Sequence, residues 1–469
     1  MPNALSFLML LIWPIVTFVM FARMPLERAL IWSILGGYLL LPPLVNFDLP
    51  LLPPLDKATI PNLSAFAACV LMLGKRVSIL PEVALGKLLM VLIVVSPVAT
   101  VLTNPEPVTF GVVYLPGMTI RDALSVMINQ LLFLLPFFLG RRFLSDEKAM
   151  REILIALVVA GLIYSVPIVI EARLSPQLNI WIYGFFQHSF EQMVRFGGFR
   201  PIVFLYHGLW VAFLVLMTLV SAVALARLEP ADNRPRHILI VLWLAAILLL
   251  CRSVGPVIYA IGLIPLVLVV KPTVQVRVAA VLALIVVAYP MLRGADLIPV
   301  DDMVERAYAF DAARGQSLEF RFDNEAVLLE RASEKPLFGW GGYGRNMVFD
   351  PETGKSLTVP DGRWIIVIGL LGWVGYIMEF GLLALPLVYL AMQARSQANV
   401  LSPYAGVIAL ILAANMVDLL PNATLIPFTW LMAGAILGYA EALRAGRVTR
   451  ASGIEPLPEA PPRPRTVIG

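Results

Sequence analysis

Thirteen apolar stretches of helical length restrict this chain to one solvent, a lipid bilayer. They run over 4–22, 29–45, 60–73, 86–103, 122–140, 152–170, 201–226, 237–251, 255–270, 276–292, 363–392, 403–420 and 424–443. Crossing a hydrocarbon core of ~30 Å takes about 20 apolar residues of helix, and the dry core obliges the backbone to satisfy its own hydrogen bonds. The stretches 60–73, 237–251 and 255–270 are short for a full span. Charged residues make up 14% of the chain, against about 25% in soluble domains, and the mean hydropathy is +0.85. The expectation is an all-α polytopic integral membrane protein with about 12–13 transmembrane helices.

Alternating the connecting loops between two sides sorts the charges. One side receives Arg23 and Arg28, Lys75 and Arg76, Arg141, Arg142, Lys148 and Arg151, then Arg227, Arg234 and Arg236, and finally Lys271, Arg395, Arg444, Arg447 and Arg450. Lysine and arginine in short loops mark the cytoplasmic face. The other side receives the long loops 46–59, 104–121, 171–200 and 293–362. No basic segment precedes the first apolar run, which reads as a permanent span with its N-terminus outside. The domain expectation follows: spans with short loops over 1–292, a long external loop over 293–362, spans over 363–445, and a Pro-rich cytoplasmic tail over 446–469 that is expected to be disordered. The net charge of +4 serves topology and points to no nucleic-acid partner. Cys69 and Cys251 sit in apolar runs and read as buried thiols. Three histidines without a Cys/His cluster give no support for a metal site. No inverted repeat of the transporter kind is evident.

Within the longest external loop, "GWGGYGRN" spells G-x-G-x-x-G with Gly339, Gly341 and Gly344. A dinucleotide fingerprint needs a strand before it and a helix after it in a βαβ unit. Here "RASEKPLF" precedes, a charged helix end stopped by Pro336, and "MVFDPETGK" follows. The nucleotide reading fails, and a tight glycine turn after a helix remains. That helix is expected over 318–334, with Leu318, Phe322, Ala326 and Leu329 on one face, Ser317 as N-cap and Glu319 in the first turn.

The segment "EKPLFGWGGYG", with Arg321 fifteen residues before Pro336, resembles the O-antigen ligase and polysaccharide polymerase superfamily. That family carries an Arg-initiated external helix leading into a Pro-Leu-Phe-Gly-x-Gly turn. The stretch "DGRWIIVIGLLGWVGYIMEFGLL" at 361–383 is similar to the family's polar head and Gly-Leu-Leu-rich span. The resemblance implies a GT-C-like enzyme of the bacterial inner membrane. It would transfer a glycan from polyprenyl diphosphate to a sugar hydroxyl on the periplasmic side, without metal or nucleotide. Its partners would be the polyprenyl-diphosphate-linked oligosaccharide, membrane lipid and other polysaccharide assembly proteins. Ligases of the family have a histidine near the start of the span after the long loop. The segment 293–362 has none, and Asp361, Arg363 and Trp364 occupy that neighbourhood, which favours a polymerase-like or otherwise divergent member over a ligase.

Such chemistry needs cations for the diphosphate leaving group and a base for the acceptor hydroxyl. Arg252 interrupts "LLLCRSVGPVIY" and is expected to be functional, the alternative being a hairpin turn at the interface with a snorkelling side chain. Arg195 and Arg200 flank "FGGF" before a span, where the glycines let the chain turn close to a ligand; the alternative is interfacial anchoring. His207 lies within the predicted span and is either a base or a packing residue. Asp361 is a base candidate or an N-cap. Arg321 forms an i,i+4 pair with Glu325, ordinarily a solvated feature. The expected site is thus Asp361, His207 and Arg252 for catalysis, with Arg195, Arg200, Arg252, Arg321 and Arg363 for the diphosphate. A transporter is the competing class, which would place its charges along a central path.

Overall fold

The computed structural model describes residues 1–48, 53–195 and 197–447; most of the predicted tail lies outside them. The helices are α1 (Ala4–Arg23), α2 (Leu26–Leu40), α3 (Thr59–Ala67), α4 (Ala84–Leu102), α5 (Ile120–Phe143), α6 (Glu147–Leu174), α7 (Leu178–Tyr183) and α8 (Gly208–Leu228). They continue with α9 (Arg234–Leu250), α10 (Val254–Val269), α11 (Pro272–Gly294), α12 (Val300–Phe310), α13 (Ala312–Ser333), α14 (Arg363–Ser396), α15 (Pro403–Asp418) and α16 (Pro427–Arg444). A wider π-helical turn, Ala68–Met72, prolongs α3. The β structure among the described residues is three two-stranded hairpins and an isolated bridge. Each apolar stretch read from the sequence overlaps one of these helices, although 41–45 and 201–207 are not helical. Seven of them, α1, α4, α5, α6, α8, α11 and α14, are long and apolar enough to cross a membrane. The chain is an all-α polytopic membrane protein.

Its surface is inverted relative to a soluble protein. On α1, Leu8, Leu11, Ile15 and Val19 are exposed while Ser6 and Thr17 are buried. The spacing is that of one helix face, so hydrocarbon covers the leucine face and polar groups turn inward. α8 is buried on every side from Val211 to Leu225, which is why its sequence shows no polar stripe. α16 packs on α5 through glycine: a Cβ on Gly434 would lie 2.0 Å from the Phe137 carbonyl oxygen, and one on Gly438 2.1 Å from that of Arg141. Small residues four apart let two backbones approach this closely. Ion pairs tie down the end where α5, α8 and α16 finish: Arg141–Glu441 at 2.8 Å, Arg151–Glu229 at 2.7 Å and Arg28–Glu152 at 3.1 Å.

The glycine motif performs a structural task. α14 breaks at Gly372, whose φ of 67° and ψ of −168° are not helical. Arg363 and Glu379 touch at 2.6 Å, although residues 16 apart in a straight helix would be about 24 Å apart along its axis. The loop fills the break. Trp340 N–H donates to the Gly369 carbonyl at 2.8 Å and Gly341 N–H to that of Leu370 at 2.9 Å. In return Trp373 N–H donates to the Pro336 carbonyl at 2.8 Å and Val374 N–H to that of Leu337 at 3.2 Å. Backbone groups orphaned by the break are satisfied by "PLFGWG". Buried Arg345 locks the turn by donating to the carbonyls of Trp340, Glu106 and Pro116 at 3.1, 2.9 and 2.8 Å.

Two local expectations are corrected. α13 starts at Ala312, so Ser317 lies inside it and caps nothing. Its docked face is Phe322, Glu325, Leu328 and Ala332, with Ala326 exposed. Glu325 lies on the buried side with the apolar residues, and Arg321 pairs elsewhere. The Glu325 carboxyl lies 3.5 Å from the Tyr289 hydroxyl. Burial raises its pKa to about 7, and nearby Arg293 and Arg321 offset only part of that effect. A carboxyl raised in the folded state contributes stability that is full below about pH 4.3 and is lost as pH rises through the folded value. Protection factors in α13, with the intrinsic base catalysis of exchange divided out, are therefore expected to be higher at pH 5 than at pH 8, and Glu325→Gln to flatten that difference. Equal pH dependence in the variant would remove Glu325 as its source.

Candidate functional site

One cavity of about 920 Å³ opens at the end of the bundle opposite the ion pairs described above. Arg195, Arg200, Arg252 and Arg321 line it together with His188, His207 and Asp361. The chain brings them from the hairpin of Val194–Arg195 with Gly198–Phe199 and the residues beside it, from the N-cap of α8, from the turn between α9 and α10, from α13 and from the segment leading into α14.

Arg252 holds a left-handed backbone, φ 49°, in the turn between α9 and α10. The two short stretches are thus separate helices joined by a short turn at the cavity end, and the arginine sits in that turn rather than deep in a broken span. Its Nη1 donates to the Arg195 carbonyl at 3.0 Å, and its own carbonyl accepts from Arg200 Nη2 at 3.2 Å. The glycine pair has a local reason too. Gly197 has φ 68°, and a Cβ on Gly198 would lie 2.3 Å from Arg252 Nη2. The chain turns tightly to pass the Arg252 guanidinium.

Arg200 is nine-tenths buried, and its Nε has no hydrogen-bond partner among the described residues. Burial, then the positive charge of Arg195 and Arg321, pushes its pKa down to about 10. A cation held this way gains from any anion placed beside it. Four arginines face two carboxylates in the cavity wall, Asp311 and Asp361. Asp361 lies 3.4 Å from Arg321 Nε, so the expected Arg321–Glu325 pair is replaced by one across the cavity wall.

His207 is not inside a span. Residues 201–207 are non-helical, and His207 caps α8, its Nδ1 accepting the Leu209 N–H at 3.0 Å. Burial, and after it the charges of His188 and the arginines, lowers its pKa to about 3. The ring is therefore neutral at physiological pH, and with Nδ1 accepting, Nε2 carries the proton. It can donate a hydrogen bond but is poorly placed to take a proton. The His188 ring stands 4.6 Å away in edge-on contact.

The 201–207 segment explains residues that the sequence reading missed. Glu171, fully buried at the end of α6, accepts the N–H groups of Leu178, Ile202 and Val203 at 3.0, 2.8 and 2.7 Å. Lys57 Nζ donates to the Phe204 carbonyl at 2.6 Å beneath the rings of Tyr38 and Tyr206, and burial lowers its pKa to about 7. Gln187 Nε2 donates to the Val203 carbonyl at 2.8 Å. A carboxylate and a lysine bordering apolar runs were visible signals, but their partners are backbone groups far along the chain. Asn422 and Thr424 also reach the wall, positioned by Asp418, which accepts from them at 3.0 and 2.6 Å. Asp418 thus orders this loop.

Arg363 is not brought into this group. Its guanidinium forms a two-point ion pair with Glu379, both contacts 2.6 Å, and lines a neighbouring cavity of about 240 Å³. Where α9 and α10 join lies an apolar groove of about 540 Å³ lined by Ala246, Leu249, Leu250 and Val257. Arg252 and Val254 border both groove and cavity. Among the described residues no cluster of His, Cys, Asp and Glu could hold a metal ion. No protein-family model matches the chain, and a comparison with curated proteins gives no match.

Proposed function

We propose that this chain is a GT-C-like polysaccharide polymerase of the bacterial inner membrane. In this reading the arginine cavity faces the periplasm, with the ion-paired end in the cytoplasm as the lysine and arginine distribution suggests. The observation that carries the reading is the convergence of Arg195, Arg200, Arg252 and Arg321 on one cavity, with buried Arg200 lacking a partner for its Nε. A diphosphate leaving group is a matching anion, and forked guanidinium donors suit it. The apolar groove bordering Arg252 supports a donor carried on a lipid chain.

The reaction would proceed as a displacement at the anomeric carbon. The acceptor sugar oxygen bonds to that carbon as the bond to the diphosphate oxygen breaks. The acceptor proton passes to Asp361, and the polyprenyl diphosphate leaves with the electron pair, stabilised by the arginines. The contact with Arg321 at 3.4 Å holds Asp361 in the cavity wall. His207 Nε2–H supplies a donor to a sugar or phosphate oxygen.

Proteoliposomes bearing a labelled polyprenyl-diphosphate oligosaccharide test this reading. A ladder of longer lipid-linked glycans, formed without added nucleotide, is the expected product. Label moved across the bilayer with no change in glycan length would identify a flippase instead, and transfer to a different lipid would identify a ligase.

A further inference from the structure

A cavity of about 540 Å³ lies at the other end of the bundle, among α4, α5, α16 and the loop after α3. Five cationic side chains line it, Arg76, Lys87, Arg141, Arg142 and Arg447, against two carboxylates, Glu82 and Glu441. Both carboxylates are engaged. Buried Arg141 donates through Nε to Glu441 at 2.8 Å, the Glu82 N–H donates to Glu441 at 2.7 Å, and Arg447 contacts Glu82 at 3.2 Å. Arg141 also donates to the Ser78 carbonyl at 3.1 Å. The loop is stapled to the helix ends, and the recess is a built feature. Arg76, Lys87 and Arg142, from three different elements, have no ion-pair partner among the described residues.

Cations are general on a cytoplasmic face and need no ligand. Here three unpaired ones share a single recess whose wall includes a buried ion pair. We infer that this cavity binds the phosphate headgroup of an anionic phospholipid. Leu80 lines the recess, Leu85 and Leu88 stand beside Lys87 in the sequence of α4, and the three are each about half exposed, at 52, 52 and 55%, a surface suited to acyl chains. Free phosphate would use the cations but not the leucines. The inference is independent of the function proposed for the opposite cavity.

Native mass spectrometry on the purified full chain, offered phosphatidylglycerol or phosphatidylcholine, reads this directly. A cation near an anionic lipid surface is worth about fivefold in binding. Wild type is expected to prefer phosphatidylglycerol by at least about tenfold, and the triple variant Arg76→Gln/Lys87→Gln/Arg142→Gln to lose most of that preference. All three side chains are exposed, so the variant is expected to fold, with its unfolding temperature as the check. Arg234→Gln/Arg236→Gln, which removes two exposed cations outside the cavity, is expected to retain the preference. Undiminished preference in the triple variant would overturn the site, as would equal loss in the control. Displacement of the lipid by inorganic phosphate at matched concentration would overturn the lipid as its occupant.

Discussion

Arg252→Ala is expected to slow glycan transfer by about 10²–10³-fold, the usual cost of removing one preorganised donor to a developing negative charge. Two effects combine in that figure. The guanidinium is lost from the wall that Arg195, Arg200 and Arg321 share, and its hydrogen bond to the Arg195 carbonyl, which holds the 194–199 hairpin, goes with it. Arg252→Lys separates them. It keeps the charge but loses the planar fork, so an intermediate loss of about tenfold is expected if two-point contact matters. Initial transfer rates with a lipid-linked donor measure both variants. An unchanged rate in Arg252→Ala would remove Arg252 from the machinery.

Gly372→Ala is expected to be the most destabilising single substitution where the 336–341 segment meets the break in α14. The position has φ 67°, where an L side chain is strained by about 1–2 kcal/mol. The added Cβ would also lie 2.3 Å from the Leu337 carbonyl carbon and oxygen, which are backbone atoms that cannot rotate away. Moving them breaks the four backbone hydrogen bonds between 336–341 and 369–374, each worth about 0.5–1.5 kcal/mol. A loss of at least ~3 kcal/mol follows, seen as a clear drop in unfolding temperature in detergent. Gly262→Ala is the control. Nothing lies within 4 Å of its Cβ position in α10, so it is expected to leave stability unchanged or raise it slightly. Equal behaviour of the two variants would contradict the interlock.

The helices were legible because a bilayer allows few backbone solutions, and an apolar run of helical length leaves one. The clustering of Arg195, Arg200, Arg252 and Arg321 was legible as a set, because each sits beside an apolar run or on the external helix and alternation sends all four to one side. What was not legible depended on local geometry. His207 looked like a residue inside a span because "PIVFLYHGLW" is apolar throughout. That segment is held out of the helix by Glu171, Lys57 and Gln187, which lie 16 to 147 residues away among its hydrogen-bond partners. Arg363 stands beside Asp361 in the sequence yet turns to Glu379, a contact that exists only because α14 breaks at Gly372. The glycines of "GWGGYG" were recognised as a turn, but their docking partner on α14 had no signature apart from another glycine.

The measurement closest to the central claim is the stabilisation of the purified protein by its proposed ligand. Unfolding temperatures would be recorded with a polyprenyl diphosphate, the matching polyprenyl monophosphate and the uncharged polyprenol. A ligand that binds the native state raises the unfolding temperature in proportion to its affinity. The account predicts that the diphosphate stabilises most and the alcohol least, and that Arg252→Ala loses the diphosphate's advantage. Equal stabilisation by all three lipids, or an undiminished diphosphate effect in the variant, would show that the arginine cavity does not hold the diphosphate.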